Sequence, residues 1–181
     1  MDTWAWIVIA VVAAAIVVAL LAVWGRRTRR RSRLRDRFGS EYDRAVSDSG
    51  RKRAERRLAE VDDERDSLEI TPLSESARER YIEEWRRVEA HFVDEPYEAA
   101  RSAERILQRA LAERGYPTGR GAEHRAAHLA VDHPDVVERY RHGQAMLDAV
   151  RGPEGTENLR KAMLDFRAVF EEIVEREPSV A

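Results

Sequence analysis

Hydrophobic positions along the chain follow two regimes. Residues 4–24 (WAWIVIAVVAAAIVVALLAVW) form 21 consecutive positions without a charged side chain, whereas beyond residue 30 apolar residues recur singly among charges at helical spacing. At ~1.5 Å per residue the first stretch reaches the ~30 Å of a bilayer's hydrocarbon, so it predicts a transmembrane helix. Trp4, Trp6 and Trp24 stand where indole rings settle at membrane interfaces. A cleaved signal peptide fits less well: the opening Met-Asp-Thr has no basic residue, the apolar run is too long, and no A-x-A site precedes the arginines.

In the second regime, 48–70 reads as a highly charged helix with a thin stripe of Ala54, Leu58, Val61 and Leu68, either a stalk or a helix laid on the flank of a domain. A helix then starts at Ser74 or Ser76, the latter forming a capping box with Glu79, and carries Ala77, Tyr81, Trp85, Val88 and Phe92 on one face. Ala99, Ala103, Ile106, Leu107, Ala110 and Leu111 mark a second helix, which Gly115 and Pro117 end. A short helix over about 122–131 leads to Asp132-His133-Pro134, the start of a helix bearing Val136, Tyr140, Gly143, Leu147 and Val150. After a turn at 152–155, Thr156 caps a last helix whose inner face holds Leu159, Met163, Phe166, Phe170 and Ile173. No β-branched alternation is present, so the predicted fold class is all-α. It comprises a transmembrane helix, a charged juxtamembrane and stalk helix, and a compact domain of four main helices plus one short one.

Charge sharpens this picture. Lys52 and Lys161 are the sole lysines among 32 basic residues, and the abundance of Arg, Ala, Val and Glu matches a GC-rich coding bias rather than phosphate recognition. The net charge of −2 is segregated: residues 26–37 carry +7 and Asp2 −1, leaving −8 on the remainder. Arginines 26, 27, 29, 30, 31 and 33 behind the apolar run set its orientation by the positive-inside rule. The expectation is a single-pass protein of the cell membrane, N-terminus outside and helical domain cytoplasmic. The same collar would attract anionic lipid headgroups, with Leu34, Phe38 and Tyr42 as an interfacial stripe that Gly39 interrupts. Ala10/Ala14 and Ala15/Ala19 supply small-xxx-small pairs suited to self-association. An acidic domain without base-stacking groups near the collar argues against nucleic acid.

The boundaries that follow are 1–25 for the anchor, 26–47 for the arginine-rich juxtamembrane segment, 48–70 for the stalk, 71–177 for the helical domain and 178–181 for a tail. FGSEYDRAV (38–46), ITPLSESARERYIEEWRRVEAHFVDEP (70–96), RGYP (114–117), VDHPDVVERYR (131–141) and TENLRKAMLDFRAVFEEIV (156–174) resemble a group of small actinobacterial membrane-anchored proteins. The resemblance implies an anchor-plus-helical-domain plan and brings with it no activity, cofactor or catalytic residue.

Chemistry-bearing patterns are sparse. The absence of cysteine removes thiol catalysis and zinc thiolates. No Walker or dinucleotide glycine loop and no G-x-S-x-G elbow occurs, and carboxylates alternate with arginines as on solvated helix faces. The best lead is His124 and His128, four apart, with Asp132 a further four on, a spacing that directs two imidazoles and a carboxylate to one metal ion. The sequence HRAAH lacks the glutamate of H-E-x-x-H, and a polar helix face explains the pair equally well. Tyr116, in a loop beside Pro117, is the candidate exposed partner contact. The expected function is a membrane-tethered interaction or scaffold module without catalytic activity or cofactor, holding a protein partner at the bilayer. A metal-binding sensor or enzyme at His124/His128 and a lipid-binding structural protein are the alternatives.

Overall fold

The computed structural model describes residues 31–117, 119, 121–150 and 155–176, together with Trp4, Val17, Val18, Leu21 and Trp24. Two glycines at positive φ, Gly39 (52°) and Gly50 (76°), divide its N-terminal part, since a helix cannot run through that conformation. They separate α1 (31–38), α2 (Ser40–Ser49) and α3 (Arg51–Asp66). Then come α4 (Glu75–His91), α5 (Pro96–Glu113), α6 (Ala122–Asp132), α7 (Pro134–Asp148) and α8 (Thr156–Phe170), which closes in a π turn over Glu171–Glu175. No strand occurs among the described residues.

Cap chemistry decides where several of these begin. The Ser74 side chain accepts a hydrogen bond from the Ala77 amide and starts α4, so Ser74 rather than Ser76 is the cap. Pro96 and Pro134 open α5 and α7, positions where a missing amide hydrogen costs nothing.

Packing runs α4–α5–α8–α7–α6–α3–α2, each helix against the next, with α2 also touching α7. At its centre the Trp85 ring stacks on Phe170 with centroids 4.4 Å apart, and the indole N–H donates to Glu89 at 2.7 Å. The α7–α8 crossing is close enough that a Cβ on Gly143 would stand 2.7 Å from the Phe166 ring. The inner stripes of α5 and α8 are buried as their spacing predicts. On α7, Val137 is fully buried and Val136 only half so.

Two expectations are corrected here. Among the described residues no helix is long and apolar enough to cross a membrane, which overturns the predicted transmembrane helix and the single-pass, cell-membrane placement drawn from it. The physical reason is distribution: described helices confine apolar residues to one stripe, and even α5, the longest, carries Glu98, Arg101, Glu104, Arg105, Arg109 and Glu113 around it. Of the span over 4–24, only Trp4, Val17, Val18, Leu21 and Trp24 belong to the described residues. Trp6, the alanine pairs, Arg26, Arg27, Arg29, Arg30 and the turn at 152–154 lie outside them.

The second correction concerns Leu34, Phe38 and Tyr42. Instead of facing an interface they are buried in the core, Phe38 with 0% exposure. Arg31 donates to the Tyr42 hydroxyl at 3.3 Å, Arg37 pairs with Asp62 at 2.7 Å, and Arg33 is exposed on α1. The 48–70 segment lies against the domain through Ala54, Leu58, Ala59 and Val61.

Candidate metal centre

His124 and His128 sit one turn apart on α6, so both imidazoles leave the same face. That face meets the last turn of α3, and buried Ala126, Ala127 and Ala130 keep α6 slim. Into the gap comes Glu64 of α3. Its Oε2 lies 3.4 Å from Nε2 of His124 and 3.2 Å from Nε2 of His128, and the imidazole centroids are 4.6 Å apart. The three donor atoms all fall within 4.8 Å of one another.

These lengths bear on fit. Two ligands held at ~2.0–2.1 Å from a tetrahedral zinc ion stand ~3.3 Å apart, which both observed nitrogen-to-oxygen separations match. Burial is graded across the cluster: the side chain of His128 is 1% exposed, that of His124 18% and that of Glu64 46%. The centre is therefore closed on its imidazole side and open to solvent beyond the carboxylate. Two histidines and one carboxylate would leave a tetrahedral ion one further position.

Protonation favours ligation. Burial holds His128 below the ordinary imidazole range, the neighbouring His124 adds to this, and the opposing pull of Glu64 does not cancel it. His128 is thus neutral near pH 7 and has a lone pair to offer. Its Nδ1 is buried without a hydrogen-bond partner among the described residues. If Nδ1 carries the proton, the Nε2 lone pair is aimed at a carboxylate, a conflict that a cation between them removes.

Asp132, the third ligand expected from sequence, is engaged elsewhere. Its Oδ2 accepts from Arg65 Nε and from the Tyr116 hydroxyl, both at 2.6 Å. Arg65 follows Glu64 directly, so this contact pins the last turn of α3 against the end of α6 and presents Glu64 to the imidazoles. Tyr116 is correspondingly not a surface contact. Only 5% of it is exposed, and burial together with the bond to Asp132 pushes its phenol well above the usual range. His133 is turned away and meets Glu172 at 3.2 Å.

A second polar cluster binds α2 to α7. Glu41, with 0% exposure, receives a two-pronged contact from Arg141 at 2.5 and 3.0 Å, with Arg44 and Arg57 at 3.5 and 3.6 Å. Arg141 also donates to Glu123 at 3.1 Å. Burial alone would raise the Glu123 carboxyl, but Arg141 and Arg44 outweigh it and hold it below the carboxylate range.

Glu64 and Glu41 were both invisible to sequence reasoning. Glu64 is one acidic residue in a run of charges and Glu41 an ordinary one between Ser40 and Tyr42, and only tertiary contact distinguishes them. No protein-family model, curated protein or solved structure matches the chain.

Proposed function

We propose that this chain binds one divalent transition-metal ion of the zinc class between α3 and α6, on Glu64, His124 and His128. The observation that carries the reading is the convergence of two imidazole Nε2 atoms and one carboxylate oxygen at ligand-to-ligand spacing, around a buried histidine. Nitrogen donors favour zinc and its late transition-metal neighbours over magnesium and calcium, which prefer all-oxygen cages. Isothermal titration of the purified chain with Zn(II) tests it. One ion per chain is expected, with binding lost in His128→Ala and unaffected by excess Mg(II). Absence of stoichiometric heat, or a His128→Ala protein that binds as the wild type does, would refute the assignment.

An interaction role is the second reading, favoured by a groove of about 620 Å³ between α4 and α5. Val88, Ile106 and Ala112 form part of its lining; Arg109 is paired there with Glu84, and Arg87 and Arg105 add the further positive charge, a chemistry suited to an acidic segment of a partner protein. In-cell crosslinks to neighbouring proteins should diminish with Arg105→Glu; crosslinks that are unchanged would remove this reading.

A further inference from the structure

We propose that the ion acts as a clasp, its occupancy governing how firmly the helical layer of residues 31–66 is docked on α6; this inference rests on the metal reading above. Where α3 meets α6 the layer has little apolar grip, its firmer hold being the Glu41–Arg141 contact of α2 with α7. α3 buries only Ala54, Leu58, Ala59 and Val61 along sixteen residues, a stripe of small and medium side chains.

Its polar ties to α6 join Glu64 to the histidine pair, Arg65 to Asp132 and Arg44 of α2 to Glu123. Glu64 is half-exposed and meets the two imidazoles at 3.2 and 3.4 Å, a contact that competes with water for the carboxylate. Coordination replaces that contact with metal–ligand bonds joining Glu64 to residues 60 and 64 positions later in the chain. An ion so placed crosslinks two elements that meet only in the tertiary structure.

What is gained at α3 passes to α1. Arg37 of α1 pairs with Asp62, two residues before Glu64, and Arg31 approaches Glu55 at 3.9 Å. Leu34 and Phe38 share the core with Leu58. The arginine-bearing helix α1 is therefore held by the same layer that the ion fastens.

Hydrogen exchange read by mass spectrometry on the full chain tests the clasp, with Zn(II) titrated calorimetrically into the same preparations. Peptides from 51–66 are expected to exchange about tenfold more slowly with Zn(II), while those from 96–113, remote from the centre, do not change. Glu64→Gln, at a half-exposed position, keeps the histidine pair. It should bind Zn(II) more weakly and show no slowing over 51–66. Saturable heat with unchanged exchange over 51–66, or full slowing in Glu64→Gln, would overturn the clasp alone. No heat at all would overturn the metal reading and the clasp with it.

Discussion

Replacing Glu41 by glutamine removes a charge from a position with no contact with water while keeping the side chain's shape. In the folded protein its carboxylate is the focus of three guanidiniums, with direct bonds from Arg141 at 2.5 and 3.0 Å. Removing one partner of a buried pair costs about 3–5 kcal/mol, because the remaining charge has lost its solvation and its counter-ion. Arg141 retains Glu123, so the low end applies, about 3 kcal/mol. For a chain of this length that lowers Tm by about 6–12 °C. Urea unfolding followed by far-UV circular dichroism, extrapolated linearly to water, measures the loss directly. Arg35→Ala serves as the control, since Arg35 and Asp43 pair at 3.3 Å with both side chains largely in solvent; its effect should stay within about 0.5 kcal/mol. A double-mutant cycle of Glu41→Gln with Arg141→Met should return a coupling of about 2 kcal/mol. If Glu41→Gln proves as mild as the Arg35 control, the cluster is not the internal ion pair described here.

Three further outcomes follow from the structure. Phe38→Ala should cost about 3–5 kcal/mol in the same urea assay, as expected for an aromatic ring deleted from a core; a change near zero would return Phe38 to the surface. Asp132→Asn, which removes no ligand, should weaken Zn(II) binding about 10-fold by loosening the Arg65 contact that presents Glu64, and calorimetry showing wild-type affinity would contradict that positioning role. His133 is held below its ordinary value of 6.5, chiefly by burial and further by Arg114, against the pull of Glu172. Below about pH 6.5 the unfolded chain therefore binds a proton that the folded chain refuses, so stability is full above that pH and falls as pH drops through it. Urea midpoints of metal-free protein across this range should show a shallower loss in His133→Gln than in wild type; identical slopes would exclude the residue.

The helices of the C-terminal two-thirds were legible because their signals are local. Ser74 ahead of the Ala77-Tyr81-Trp85 stripe, Pro96, Pro134, and the Leu159-to-Ile173 ladder each act within a few residues of themselves. Segment 31–66 was harder. Leu34, Phe38 and Tyr42 show the same spacing whether they face lipid or a protein core, and the choice depends on partners far along the chain. The histidine pair was visible because both members lie on one helix. Its third member was assigned to Asp132 by the same local rule, yet Arg65 and Tyr116 occupy that carboxylate and Glu64 arrives from another helix. Tyr116 beside Gly115 and Pro117 has a loop's composition, but its hydroxyl finds Asp132 and the ring follows it inward.

The Glu41–Arg141 contact joins positions a hundred residues apart, and this separation sets a timetable for the nascent chain. A ribosome adding about 5–20 residues per second makes Arg141 roughly 5–20 s after Glu41. Throughout that interval α2 has an acidic side chain destined for the interior and no cation from α7 to accompany it. Although made long before them, α2 must therefore settle late, waiting for α6 and α7 to leave the exit tunnel before it can find its place.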